Sequence, residues 1–178
     1  LEVDELTIMD KWILSKLNVF LSDSEDYLDN YRVDILMRKF DLFLDDLSNW
    51  YIRRNRRRFW KTIDDKDKLT AYFVLYNVLL DVVKTMAPIL PFVCEEMYQN
   101  LAVNVDKLAP ESVHLCSFPK ADKNIIDIDL MEKVDVLRKI VEFGRSARSK
   151  SNIRIRQPLS ELKFNIQNDE IADFIFSE

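Results

Sequence analysis

Glycine is nearly missing: the 178-residue chain holds one, where average usage gives about a dozen. Tight turns between strands depend on residues at positive φ, and glycine supplies most of them. An all-β sandwich or barrel is therefore excluded, and so is a glycine-loop nucleotide fold. Histidine is as scarce. With His114 alone, and with Cys94 and Cys116 neither paired as C-x-x-C nor beside a histidine cluster, a zinc site has too few ligands. No metal is expected, and the two cysteines read as reduced thiols. Also lacking is any uninterrupted apolar run near the ~20 residues a membrane helix needs. Nothing at the N-terminus has the basic, apolar and cleavage regions of a signal peptide. The expectation is a cytoplasmic chain with no membrane contact.

What is present points one way. Apolar residues make up 48% of the chain, enough to bury a core, and 32% are charged with mixed sign, which argues against long disorder. The length suits one domain with a small appendage. Helical spacing of apolar residues predicts helices near 7–30, 33–61, 68–87, 91–101 and 127–149. The second has the clearest stripe, through Phe40, Leu44, Leu47 and Tyr51, and would span about 40 Å. The third is apolar nearly all round and is expected at the centre of its bundle. Pro88 should end it and Pro91 should open the next helix, with Glu95 and Glu96 in that helix's first turn. Asp64, Asp65 and Asp67 read as a solvated turn with one helix cap. Gly144, with Ser146 and Ala147, reads as a small-residue patch for close packing.

After Asn152 the pattern changes. Residues 153–156 and 162–166 alternate like strands, with a short helical pattern from Asp169. A two-stranded piece is marginal alone, so this stretch is expected to begin a second domain that has been cut off. The expected division is a helical domain over 1–157 and a truncated α/β appendage over 158–178.

Charge is segregated. Residues 53–61 carry a local +6 and residues 138–156 another +6, against a total of −5, so the remaining 150 residues carry −17. Two readings fit: an anion-binding face on an otherwise repelling surface, or two solvated helix ends balancing nearby acids. On a wheel of 100° per residue, Arg54 and Arg58 continue the apolar stripe of the second helix and would face the bundle. Buried guanidinium groups need carboxylates, and Glu95 and Glu96 are the candidates. Arg53, Arg56, Arg57 and Trp60 fall on the other side. Guanidinium groups fork onto phosphates and an exposed tryptophan offers a base a stacking plane, a pairing suited to looped or single-stranded RNA. Trp60 reads equally well as a helix-end core residue.

The stretch DLSNWYIRRNRRRFWK (46–61) closely resembles the anticodon-domain helix of class I isoleucyl-tRNA synthetases. MDKWILSKLN (9–18), TMAPILPFVCEEMYQNL (85–101), SVHLCSFP (112–119) and FGRSARSKSNIRIRQPL (143–159) resemble, in order, further segments of that domain. Phe118 departs from the tryptophan usual before the proline. The resemblance implies an α-helical bundle of about five helices that docks the anticodon stem and loop of tRNA. It implies tRNA(Ile) as partner, together with the catalytic and C-terminal domains of one monomeric polypeptide. It also implies a parent enzyme that ligates isoleucine to tRNA with ATP and magnesium. The HIGH-type and KMSKS-type signatures are absent, so this chain is expected to have no catalytic residue and no cofactor. Valyl-, leucyl- and methionyl-tRNA synthetases share the bundle, and a helical protein adaptor is the competing class. Arg53, Arg56, Arg57, Trp60, Lys61, Arg145, Arg148 and Lys150 are the expected tRNA contacts, and Arg53, Arg56, Arg57, Arg145, Arg148 and Lys150 are expected to form one continuous positive surface.

Overall fold

The computed structural model describes residues 6–60, 65–165 and 169–177. Among them are seven α-helices and no strand. The fold is all-α. By compactness the chain divides into Leu1–Ile126 and Asp127–Glu178, a different line from the 157/158 division drawn from the sequence.

In the first unit, α1 (Ile8–Asp29) starts on a capping box. The Thr7 hydroxyl accepts from the Asp10 N–H at 3.2 Å, and the Asp10 carboxylate accepts from the Thr7 N–H at 2.9 Å. Trp12, Ile13, Leu17, Phe20 and Leu21 are its buried face, set against α2 (Val33–Asp45) and α4 (Asp65–Met86). The end of α1 shows what a chain without spare glycine must do. Tyr31 takes φ 57° so that its own N–H reaches Leu28 O at 3.1 Å and the Arg32 N–H reaches Tyr27 O at 2.7 Å. That is the usual glycine-terminated stop made with a tyrosine.

The long second helix is not one uniform α-helix. After α2 the backbone widens into a π-helical stretch, Asp46–Ile52, turns at Asn55, and resumes as α3 (Arg56–Trp60). Phe43, Leu47, Tyr51, Asn55 and Phe59 are buried, a spacing of four throughout. Steps of four drift around a 3.6-residue helix, and the wider π turns take that drift back, keeping the stripe on the core.

α4 buries Ala71, Val74, Val78, Val82, Val83 and Met86. It is not enclosed on every side as its composition suggested, because Leu69, Tyr72 and Phe73 are about half to two-thirds exposed. Its Lys66–Met86 span is long and apolar enough to cross a membrane by length and composition, although charged and polar residues interrupt it; its buried valine face is that of a core helix. Pro91 sits in the first turn of α5 (Pro91–Tyr98), which continues as a π-helical turn to Val103. Glu95 and Glu96 lie past that first turn.

In the second unit, Asp127 caps α6 (Ile128–Lys150) by accepting from the Leu130 N–H at 2.9 Å, and α7 (Asp169–Ser177) packs against α6. The strands expected at 153–156 and 162–166 do not form; residues 153–165 are irregular, and Ile166 lies outside the described residues. With no sheet to join, the carbonyls of Arg154 and Ile155 accept from the Arg148 side chain instead. Gly144 has no close neighbour: a Cβ there would meet nothing within 4 Å. The close packing expected of it is absent.

Candidate nucleic-acid interface

The arginine run is anchored from within by one member. Arg58 reaches the fully buried Asp10 with both terminal nitrogens, each at 3.0 Å, and holds Asp67 of α4 through Nη2 at 2.7 Å and Nε at 2.8 Å. Tyr51 donates its hydroxyl to the same Asp10 carboxylate at 2.6 Å, and the Thr7 hydroxyl donates at 2.7 Å. The clasp ties the start of α1, the arginine helix and the start of α4 together. Burial works to raise the Asp10 carboxyl, but the hydrogen bonds from Arg58, Tyr51 and Thr7 outweigh it and hold the group below the usual carboxylate range. Burial, then the Asp10 carboxylate, pushes the Tyr51 hydroxyl far up, so it stays a donor.

Several sequence expectations change here. Arg58 finds Asp10 and Asp67, not Glu95 or Glu96. Glu95 instead accepts from Gln99 at 2.7 Å, from the Ser112 hydroxyl at 2.8 Å and from the Val113 N–H at 3.0 Å, pinning the chain at Ser112 and Val113 to α5. Those bonds, Gln99 and Ser112 first, lower its pKa. Glu96 is exposed and accepts from Asn100. Asp67 is a partner in the clasp rather than part of a solvated turn. Arg54 does not face the bundle: it is exposed, and Asn55 is buried in the place the wheel gave it. The π-helical stretch shifts the phase by about one residue, which a wheel of uniform 100° steps cannot register.

Arg53, Arg56 and Arg57 are exposed as expected, so with Arg54 four arginines share the outer side of this segment. Trp60 is 67% exposed, and the Arg56 guanidinium lies over its ring at 4.9 Å. The core aromatic is its neighbour Phe59, set edge-on to Tyr51 and to Tyr72. This resolves the two readings of Trp60 in favour of the surface. Lys61 lies outside the described residues.

The second basic window lies on α6 and just beyond it. Arg145 and Lys150 are exposed, and so are Arg154 and Arg156. Arg148 is half-buried, and its Nη1 donates to the carbonyls of Arg154, Ile155 and Gln157 at 3.1, 3.3 and 2.7 Å. Asn152, at φ 54°, makes the turn, and the Ile153 N–H closes on the Arg148 carbonyl at 2.9 Å. Arg148 thus folds the I-R-I-R segment back, using carbonyls that a strand would have paired elsewhere. Sequence reasoning missed Asp10 and Tyr51 as clasp members; a T-x-x-D spacing such as that of Thr7 and Asp10 is a capping signature and carries no sign of a second use for its carboxylate.

Among the described residues, no group of three or more His, Cys, Asp or Glu side chains could hold a metal ion. An all-α bundle with an internally clasped arginine helix, whose other described arginines and Trp60 are exposed, is a helical module that presents a cationic face suited to an anionic partner. Residues 10–163 match the family described as the anticodon-binding domain of tRNA ligase, and the chain belongs to that family. It is 50% identical over 173 residues to the isoleucine–tRNA ligase of Clostridium novyi, covering 96% of this chain and 17% of that protein. The isoleucine–tRNA ligase of Dehalococcoides mccartyi (strain CBDB1) is 49% identical over 159 residues, 89% of this chain and 16% of that protein. That of Methanocella arvoryzae is 41% identical over 168 residues, 94% and 15%. The chain therefore spans less than a fifth of the length of these relatives.

Proposed function

We propose that this chain is the tRNA-docking module of an isoleucine–tRNA ligase, taking the anticodon stem and loop of tRNA(Ile). The observation that carries the reading is the sorting of one arginine run into a buried anchor, Arg58, and an exposed set, Arg53, Arg54, Arg56 and Arg57, beside an exposed Trp60. Guanidinium groups carried on a helix engage phosphates without ordering a loop first, and the tryptophan offers a stacking plane. Lys61, Arg145 and Lys150 add phosphate contacts, while Arg148 acts mainly by shaping the segment that carries Arg154 and Arg156. The chain alone is non-catalytic. In the whole polypeptide, isoleucine is activated with ATP and magnesium by a catalytic domain bearing the HIGH-type and KMSKS-type signatures, neither of which occurs in this sequence. The setting is a cytoplasmic, monomeric ligase. The names of the relatives favour isoleucine over valine or leucine.

The test is binding of the chain to transcripts of tRNA(Ile) and tRNA(Val), with an acidic polypeptide as competitor. Saturable binding that is tighter for tRNA(Ile) is expected. Binding of the acidic polypeptide with no saturable tRNA binding would establish a protein adaptor instead.

A further inference from the structure

Between Asp46 and Ile52 the helix that leads into the arginine run is π-helical, a form that is rare and recurs at functional sites. Two tethers to α1 account for it. At one end the carboxylate of the buried Asp46 pairs with Lys16 at 3.7 Å; at the other, Tyr51 donates its hydroxyl to Asp10 at 2.6 Å. Residues five positions apart lie about 140° from each other on an α-helix that turns 100° per residue, so a plain α-helix could not aim both side chains at α1. A π turn, which closes after five residues, brings positions 46 and 51 to one side. The same turn decides which arginines reach the surface. A uniform α-helix that carries Leu47 and Tyr51 inward would turn Arg54 inward next. The π stretch presents Asn55 to the core instead and leaves Arg54 exposed beside Arg53, Arg56 and Arg57.

Resting on the tRNA-docking reading, we propose that Tyr51 is a positioning residue for RNA docking: its bond to Asp10 holds the π-helical register and so keeps Arg54 among the arginines that meet the phosphates. Tyr51 is fully buried and its hydroxyl is committed to Asp10, so it touches no RNA itself. It acts through Arg54, whose side of the helix changes with the register. Arg58 does not distinguish the two registers, because it lies toward the bundle in both and keeps Asp10 as its partner. Guanidinium groups fork onto phosphate oxygens, and each phosphate neutralised adds about one unit to the slope of log affinity against log salt. The register is therefore readable as a count of contacts.

The experiment measures that slope for a transcript of tRNA(Ile), with the melting temperature of every variant taken alongside. Arg54→Ala should lower the slope of the unmodified chain by about one unit. Tyr51→Phe, which keeps the ring and removes the hydroxyl, should lower it by the same amount, and adding Arg54→Ala to it should change nothing further. Deleting Asn49, an exposed residue inside the stretch, is the rescue. Positions 46 and 51 are then four apart, an α-helix satisfies both tethers, and Tyr51→Phe in that background should keep the full slope. Asp46→Asn loosens the other tether and should behave as Tyr51→Phe does; its slope decides the matter if Tyr51→Phe does not fold. A purely structural Tyr51 would lower the melting temperature and leave the slope unchanged, with Arg54→Ala still subtracting its unit, and that result overturns the proposal. So does a loss of slope that the Asn49 deletion fails to restore, or an Arg54→Ala variant with the slope of the unmodified chain. No saturable binding of tRNA(Ile) by the unmodified chain would overturn the docking reading itself, so the two failures are distinct.

Discussion

Two residues show how the scarcity of glycine is accommodated. Tyr31 and Asn152 both end helices in the left-handed region, at φ 57° and 54°. Asparagine tolerates that region; tyrosine is strained there. Tyr31 is 90% exposed, so removing its ring forfeits little packing. Tyr31→Gly should therefore stabilise the protein by about 1 kcal/mol, read as a rise of about 3 °C in melting temperature; a fall would show that the ring has a structural contact. Asp10 makes the opposite case. Its carboxyl is held below its ordinary value of 3.8, so its contribution to stability is complete above that pH and is lost as pH falls through the lower folded value. Asp10→Asn should remove part of the acid-induced loss of stability below about pH 4 and should destabilise at neutral pH by about 3–5 kcal/mol, because Arg58 is left buried without its main partner. Urea melts at pH 7 and pH 3 measure both, and an unchanged pH dependence would mean that Asp10 does not control the acid limb. That Arg58 turns inward to a carboxylate was legible from its place on the apolar stripe, but which carboxylate was not, since Asp10 and Arg58 are 48 positions apart.

At the level of elements, helix starts were legible because their chemistry is local. Thr7 with Asp10, Pro91, and Asp127 each sit where a cap or a missing N–H costs least, and each begins a helix. The outer arginines were legible for the same reason. Arg54 was not, because the π-helical stretch 46–52 breaks the uniform angular step on which any wheel depends. The alternation at 153–156 was misleading too: it has the period of a strand, but Arg148 captures its carbonyls first. Gly144 in α6 was read as a packing contact and is an open position instead. Gly144→Ala should stabilise α6 by about 1 kcal/mol, seen as a higher melting temperature of the second unit by calorimetry or residue-resolved hydrogen exchange. A loss of stability would mean that the space beside Gly144 is filled in solution.

For the whole molecule, the distribution of charge says more than its total. A chain of net −5 with two windows of +6 repels polyanions except where those windows lie. In the first window the structure adds a division of labour, with Arg58 spent on the fold and its neighbours left to the surface. The most direct measurement of that division is the salt dependence of tRNA(Ile) binding by the unmodified chain and by the variant R53A/R56A/R57A. Counterion release makes affinity fall linearly with salt on logarithmic axes, with a slope set by the number of phosphates neutralised. The account predicts a steep fall for the unmodified chain and a slope shallower by about two to three units for the variant, at unchanged melting temperature. Equal slopes for the two proteins would contradict it.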